Sequence, residues 1–414
     1  GRMRPAKWYE HRVLRWMAVG IWCCALSLFL SGCRGPVPEP PLQKGYVAVS
    51  RDEAAALSRQ AVQYLLAATT EEELATATRR SLAYVRTRPP RAMALETSNL
   101  RVTWHRLQRS LELFLELLPR IARQPELLAR HFEWYALRPG PLFTGYYEPE
   151  LQAALDKRPG YETPLYRRPE DLQQVDLGRF HPRWDGQTLR YRVVNGSIAP
   201  YFDRQAIENQ DALSGRGLEL AWAKDPVDVF FLQIQGSGRL RLPDGRIQHV
   251  RYAGANGRPY VSLGRVLIEK GLLDSGNVSM QSIRRFLNAH PERRQSLLNT
   301  NPSYVFFEKA ADGPYGAMGR RLTPFVSLAT DRSVLPLGGL TVWNADLPAA
   351  QSNSTVPFTS LGLTQDVGGA ITGHHFDLYC GSGDQAGALA GRLKDRGRIF
   401  FLLATNATQP DVKE

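Results

Sequence analysis

The chain has 414 residues, with 52 lysines and arginines against 40 aspartates and glutamates, a formal net charge of +12. That length exceeds what one core usually holds, so two domains are expected. The basic excess contains no lysine or arginine block interleaved with aromatics, which argues against a nucleic-acid partner, and four cysteines leave little room for a disulfide framework.

In chain order, Arg2, Arg4, Lys7, Arg12 and Arg15 precede an apolar run over 16–30, followed by Leu30-Ser31-Gly32-Cys33. This is the pattern of a charged n-region, an h-region and a small-residue cleavage site. Fifteen apolar residues fall short of the ~20 that span a bilayer. The segment reads as a bacterial lipobox: a signal peptide over 1–32, cleavage after Gly32 and acylation of the Cys33 thiol. Arg34 in place of an aspartate predicts sorting to the outer membrane. The chain opens on Gly1, and Met3 is the candidate start. Without residues 1–32 the balance is 47 basic to 39 acidic, which suits an anionic wall or membrane surface. Cys23 and Cys24 leave with the signal and Cys33 becomes the anchor, so Cys380 remains as a lone thiol, read as a small buried hydrophobe.

The proline-rich stretch after Cys33 predicts an extended tether over 33–49. From Ser50 the pattern turns helical. Ser50 with Glu53 and Thr70 with Glu73 have capping-box spacing, and apolar residues recur at Leu57, Ala61, Leu65 and at Leu107, Leu111, Leu115, Leu118. Residues 50–137 are expected to be mainly helix. Past Pro139, β-rich runs at 227–234, 304–307, 322–328 and 398–403 alternate with turn residues, and helical patterns interrupt them at 262–270, 280–290 and 387–394.

The segment QDVGGAITGHHFDLYCGSG, 365–383, carries the most chemistry. Asp366 and Asp377 flank Gly368 and Gly369, glycines that can bring a ligand against bare peptide groups. His375, Asp377 and Tyr379 alternate on one face of a predicted strand. A general acid needs its pKa raised, and a second carboxylate nearby raises it; Asp366 is the candidate for that charge. The plainer alternative is that both aspartates end strands and cap turns. The strand pattern puts His374 on the face opposite His375 and Asp377, leaving two converging ligands where zinc takes three or four. Neither a metal nor a cofactor is expected.

This segment resembles the C-terminal signature of the membrane-bound lytic murein transglycosylase A family. ATDRSVLPLGG (329–339), FTGYYEPEL from Phe143, FFLQIQGSGRL from Phe230, YAGANGRPYVSLGRVLIEKG from Tyr252 and NPSYVFF from Asn301 match the same family in the same order. The resemblance covers roughly 141–403. It implies a mainly β fold with an α-helical N-terminal segment, in which a discontinuous double-psi β-barrel is built from 50–149 and 301–414. A smaller β-rich substrate-binding domain, 150–300, is inserted between them. A polysaccharide groove would be lined by Thr144, Gly145 and Tyr146 on one wall and by Gln235, Gly236, Ser237 and Gly238 on the other. Gly368, Gly369 and Ala370 would hold the sugar, and Asp331, the third aspartate of the signature, would contribute to substrate binding.

The implied reaction is cleavage of the β-1,4 bond between N-acetylmuramic acid and N-acetylglucosamine. Asp377 acts as acid and then as base, Asp366 supports it, and the substrate's own C6 hydroxyl attacks to leave a 1,6-anhydromuramoyl end. Thr372 stands where the family often has a basic residue, so substrate preference follows less directly than reaction type. Expected partners are peptidoglycan glycan strands, the outer membrane through the lipid anchor, and other murein synthases or hydrolases, with the chain itself a monomer. Two other readings remain: an endoglucanase-like polysaccharide hydrolase, whose strand also carries His-Phe-Asp, and a wall-binding lipoprotein without catalysis.

Overall fold

The computed structural model describes residues 45–349 and 352–405. The expected signal, the Cys33 lipidation and most of the tether lie outside the described residues. Among the described residues no helix is long and apolar enough to cross a membrane.

Helices Arg51–Ala68, Glu71–Val85 and Trp104–Ile121 form where the capping and apolar spacing predict them. The Thr70 box is complete: Thr70 Oγ1 accepts from the Glu73 N–H at 3.2 Å, and a Glu73 carboxylate oxygen accepts from the Thr70 N–H at 2.9 Å. Ser50 accepts from the Glu53 N–H without the return bond. Leu107, Leu111, Phe114, Leu118 and Ile121 are buried in one cluster that also holds Val342, Trp343, Phe400 and Phe401 of the sheet beneath. The helices therefore exist largely to cover one face of that sheet.

The sheet has nine strands. In spatial order they are Gly45–Ala48, Phe132–Arg138, Arg398–Ala404, Leu340–Pro348, Thr355–Asp366, Ser327–Ala329, His375–Ser382, Leu142–Glu148 and Lys394–Arg396. Most neighbours are antiparallel, but Ser327–Ala329 runs parallel to Thr355–Asp366, and His375–Ser382 runs parallel to Leu142–Glu148. The strand Leu142–Glu148 is thus sandwiched between strands from the last forty residues of the chain.

The middle of the chain supplies a second, six-stranded sheet: Val305–Ala310, Ile247–Ala255, Ser237–Arg241, Glu150–Ala154, Glu219–Ala223 and Thr163–Tyr166. It has apolar clusters of its own around Leu151, Leu240 and Phe307, around Phe230 and Leu267, and around Tyr201 and Tyr304. Sheet membership changes between Glu148 and Glu150 and again between Ala310 and Ser327.

Three expectations about local structure are corrected. Residues 227–234 are not a strand but lie in helix Pro226–Gln235. Asp225 caps it by accepting from the Val227 N–H, Pro226 occupies its first turn, and Gly236, at φ +84°, ends it in the left-handed conformation. Of 322–328 only the end belongs to a strand, Ser327–Ala329, because Phe325 at φ +62° breaks the extended chain just before it. The expected helical region also holds a hairpin, Met93–Glu96 with Arg101–Thr103, as well as the strand Phe132–Arg138.

Candidate functional site

Asp377 is the third residue of strand His375–Ser382, and its backbone is opposite Thr144 on one side and Ala329 on the other. The neighbours in sequence, Phe376 and Leu378, are fully buried, so strand alternation turns Asp377 away from the core, where it is half-buried. Its one hydrogen bond comes from the Thr144 hydroxyl, 2.8 Å from Oδ1. Loss of hydration pushes the Asp377 carboxyl up to about 7. The Thr144 bond works against the rise, and the charge of Asp366 adds to it as a lesser cause. The expectation that Asp366 lifts Asp377 therefore has the right sign, but burial is the main cause.

Asp366 ends the strand Thr355–Asp366, two neighbours away from the Asp377 strand. The Tyr146 phenol donates to Asp366 Oδ2 at 3.0 Å, and the N–H groups of Ala317 and Val367 donate to Oδ1 at 2.8 and 2.9 Å. Burial nevertheless raises its carboxyl to about 6. Next to it, Gln365 anchors the strand end to helix Glu71–Val85 by donating to the Ala77 carbonyl and the Ser81 hydroxyl, each at 2.9 Å. Tyr146 has its phenol pushed well above its usual value by burial and then by the two aspartates. It also packs on Tyr379 with ring centroids 5.4 Å apart.

Asp331 sits elsewhere in the arrangement. Its Oδ1 accepts from the Ser333 N–H and hydroxyl at 2.9 and 2.7 Å, and its Oδ2 accepts from the Gly373 N–H at 2.7 Å. Burial acts to raise this group, but the hydrogen bonds prevail and hold it below the usual carboxylate range. Asp331 fixes the turn into the Asp377 strand, where Gly373 takes φ +64°. Gly368 and Gly369 do not adopt positive φ. Gly369 is exposed with open space where a Cβ would be, whereas a Cβ on Gly368 would press on Ile371. Ala370 is exposed beside them.

The remaining predicted residues are spent largely on the scaffold. A Cβ on Gly145 would lie 2.8 Å from Ala390 Cα and 3.0 Å from Cys380 Sγ, so this glycine lets helix Gly383–Arg392 pack on the sheet. Gln235 accepts from the Tyr147 N–H at 3.2 Å and so joins the middle segment to strand Leu142–Glu148. Gly236 caps its helix, Ser237 begins strand Ser237–Arg241, and Gly238 leaves room for Leu232 and the Pro149 carbonyl. Cys380 is buried, and burial pushes its thiol far above the usual range.

Two features were missed by sequence reasoning. His375 Nε2 lies 2.7 Å from Thr144 Oγ1, the same hydroxyl that bonds Asp377. A cavity of about 760 Å³ lies near Tyr147, lined by Asp225, Asp228, Gln281, Arg284 and Asp384 among others. Tyr147, Pro149, Glu150 and Leu151 of FTGYYEPEL and Phe231 of FFLQIQGSGRL also line it, but Asp225, Asp228, Gln281 and Arg284 lie outside any quoted motif. The signal for His375 was present in the strand alternation that puts it on the face of Asp377.

Fold and site together define a class: a half-buried aspartic acid held near neutrality, with a second carboxyl beside it, on a mixed sheet interrupted in sequence by another β unit. A family model described as the MltA specific insert domain matches residues 142–308, and a model of the 3D domain matches 326–403. The membrane-bound lytic murein transglycosylase A of Vibrio cholerae is 39% identical over 272 residues, 64% of this chain and 66% of that protein. The crystal structure of a membrane-bound lytic murein transglycosylase from Agrobacterium tumefaciens is similar with a TM-score of 0.72 at 30% identity, covering 87% of this chain and 98% of that one. That of Escherichia coli MltA with bound chitohexaose has a TM-score of 0.60 at 28% identity, covering 80% and 90%. The chain belongs to the membrane-bound lytic murein transglycosylase A family. The matched region spans just under two thirds of the Vibrio cholerae relative's length.

Proposed function

We propose that the protein is a lytic transglycosylase of peptidoglycan, cutting between N-acetylmuramic acid and N-acetylglucosamine and leaving a 1,6-anhydromuramoyl end. The observation that carries this reading is Asp377, a surface-reaching carboxyl whose burial raises it to about 7, so that it can hold a proton at neutral pH and release it in a transition state. The protonated carboxyl donates to the glycosidic oxygen. The resulting carboxylate then takes the proton of the C6 hydroxyl as that oxygen closes on C1, and the acid is restored with no water consumed. The tethered hydroxyl supplies the entropic advantage of an intramolecular nucleophile. Asp366, raised to about 6, stays partly protonated beside it and adds negative charge that disfavours ionisation of Asp377 as pH rises.

In this reading the glycan lies across Tyr146, half-buried Gly368 and the exposed backbone of Gly369 and Ala370. Thr144, Gly145, Gln235, Gly236, Ser237, Gly238 and Asp331 shape the site. The chain divides at about 150 and, since Val305–Ala310 still pairs in the six-stranded sheet, past Ala310 instead of at the expected 300, with the middle segment as the substrate-binding insert. The relatives named membrane-bound and the Leu30-Ser31-Gly32-Cys33 pattern support attachment to a membrane through Cys33; in this reading the protein is a monomer on the outer membrane, facing peptidoglycan and other wall enzymes. The relative with chitohexaose bound supports a β-1,4 amino-sugar polymer as ligand.

Mass spectrometry of digested peptidoglycan tests the reaction. Anhydro ends are the expected products; reducing ends would make the protein a hydrolase, and an undigested wall with retained binding would make it a binder. Substituting Cys33→Ser tests the anchor, with the protein expected to leave the membrane fraction while keeping its activity.

A further inference from the structure

Thr144 Oγ1 stands 2.8 Å from Asp377 Oδ1 and 2.7 Å from His375 Nε2, and it has one hydrogen to give. Both short contacts cannot be donations from Thr144. One of the two neighbours must supply a hydrogen to the hydroxyl oxygen, and which one does so fixes the state of the other. If Asp377 is protonated on Oδ1, it donates to Thr144, and Thr144 donates to a bare His375 Nε2. If Asp377 is a carboxylate, Thr144 donates to it, and His375 must present an Nε2–H to Thr144.

We propose that His375 is a positioning residue for Asp377, acting through the Thr144 hydroxyl, so that a bare Nε2 favours the carboxylic acid and an Nε2–H favours the carboxylate. This rests on the reading of Asp377 as the acid. The three side chains come from two parallel strands held in register, His375 opposite Leu142 and Asp377 opposite Thr144, so the spacing is set by backbone pairing. Burial lowers the His375 pKa while a hydrogen bond to the Ala370 backbone raises it; the net is downward, which keeps the ring neutral, with the Ala370 bond favouring the tautomer whose Nε2 is bare. The proton count balances with solvent as the carrier for the half-buried imidazole, which takes one proton on Nε2 and releases one from Nδ1. When Asp377 gives its proton to a substrate, the Thr144 hydrogen turns from His375 to Asp377, and a shift of the imidazole hydrogen from Nδ1 to Nε2 fills the acceptor left behind.

The other titratable groups facing Asp377 are Asp366, Tyr146 and Cys380. The strand Ser327–Ala329 presents Ala329, which carries none, and on the far side of the Thr144 strand Lys394 pairs with Thr144 through the backbone. None of these touches the Thr144 hydroxyl, so the coupling can be isolated by substitution.

The test is a titration that needs no turnover: the Asp377 carboxyl followed by 13C NMR, assigned by its loss in Asp377→Asn, with His375 followed by 15N NMR in the same unmodified protein. The expected wild-type result is a His375 Nε2 signal that moves from bare to hydrogen-bearing at the pH where Asp377 ionises. A flat Nε2 signal through that pH would overturn the proposal. In variants, His375→Phe should lower the Asp377 pKa by roughly one unit by leaving Thr144 a single acceptor, Thr144→Val should raise it, and the double variant should match Thr144→Val. Thr144→Ser should restore the wild-type value. Equal shifts from His375→Phe with and without the hydroxyl would sink the relay. Survival of anhydro product in Asp377→Asn would instead sink the functional reading and leave the coupling intact.

Discussion

Asp331 and Asp366 each accept three hydrogen bonds, yet their carboxyls move in opposite directions, Asp331 below the usual range and Asp366 up to about 6. Asp366 ends the strand Thr355–Asp366 and Asp331 lies two residues beyond the strand Ser327–Ala329, and with three donors each the bond count does not decide the sign. Depth does. Each donor favours the charged form by an amount set by its own geometry, whereas the hydration lost by a carboxylate grows steeply as water is withdrawn. Asp377, with a single donor, shows the limit of that trend and reaches about 7. One turn is thereby kept charged as a clamp while the neighbouring strands keep two acids protonatable, and the protein obtains two functions from one residue type.

The largest test of this division is Asp377→Asn. Removing the transferable proton should lower the rate of anhydro-end formation by about 10²–10⁴-fold, the usual worth of general acid catalysis, with glycan binding retained in a pull-down on wall sacculi. A loss of less than tenfold would move the acid elsewhere, with Asp366 next in line.

Releasing the clamp comes second. Asp331→Ala removes the acceptor of the Gly373 N–H and both Ser333 donors, and should cost about 1–3 kcal/mol in thermal unfolding along with roughly a tenfold fall in kcat as the turn before Asp377 loosens. If stability falls and kcat does not, Asp331 is scaffold alone.

The pH dependence of stability separates the two kinds of carboxyl. Asp366 and Asp377 hold protons more tightly folded than in the unfolded chain, where a carboxyl titrates near ~3.9, so stability should decline as pH rises from about 4 to 7. Asp331 has the opposite sign: its contribution is present above ~3.9 and lost as pH falls through its depressed folded value. Asp377→Asn should accordingly raise Tm at pH 8 by roughly 3 °C and leave it nearly unchanged at pH 4. A gain of the same size at both values would show that the effect comes from packing.

Two smaller effects sharpen the comparison. Asp366→Asn should move the alkaline limb of the kcat profile to lower pH by roughly half a unit, because the charge that disfavours ionisation of Asp377 is gone. Gly369→Ala, exposed and with nothing within 4 Å of the added methyl, should alter stability by no more than ~0.5 kcal/mol. A raised KM in that variant would mark the glycine as a contact of the glycan.

Much of the site was legible because its signals are local. The alternation of His375, Asp377 and Tyr379, the Thr70 capping box and the apolar spacing of Trp104–Ile121 all reside in a few consecutive residues. Residues 227–234 were misread because Val227, Val229, Phe230, Phe231 and Leu232 are all buried, so the helix has no polar face to give a period of 3.6. The helix signals lay at its ends, in Asp225, Pro226 and Gly236. The links between Thr144 and His375 and between Tyr146 and Asp366 span more than two hundred residues, and strand register of that range leaves no mark in either segment alone.

The parallel pairing of Leu142–Glu148 with His375–Ser382 bears on timing. The acid, its hydroxyl partner and the second carboxyl come from regions that meet only after nearly the whole chain is available, and Gln365 must also find the helix Glu71–Val85. Contacts of such high order form late in folding. A chain clipped before its final strands would have no complete site, so the wall-cleaving activity proposed above would be absent until assembly is finished.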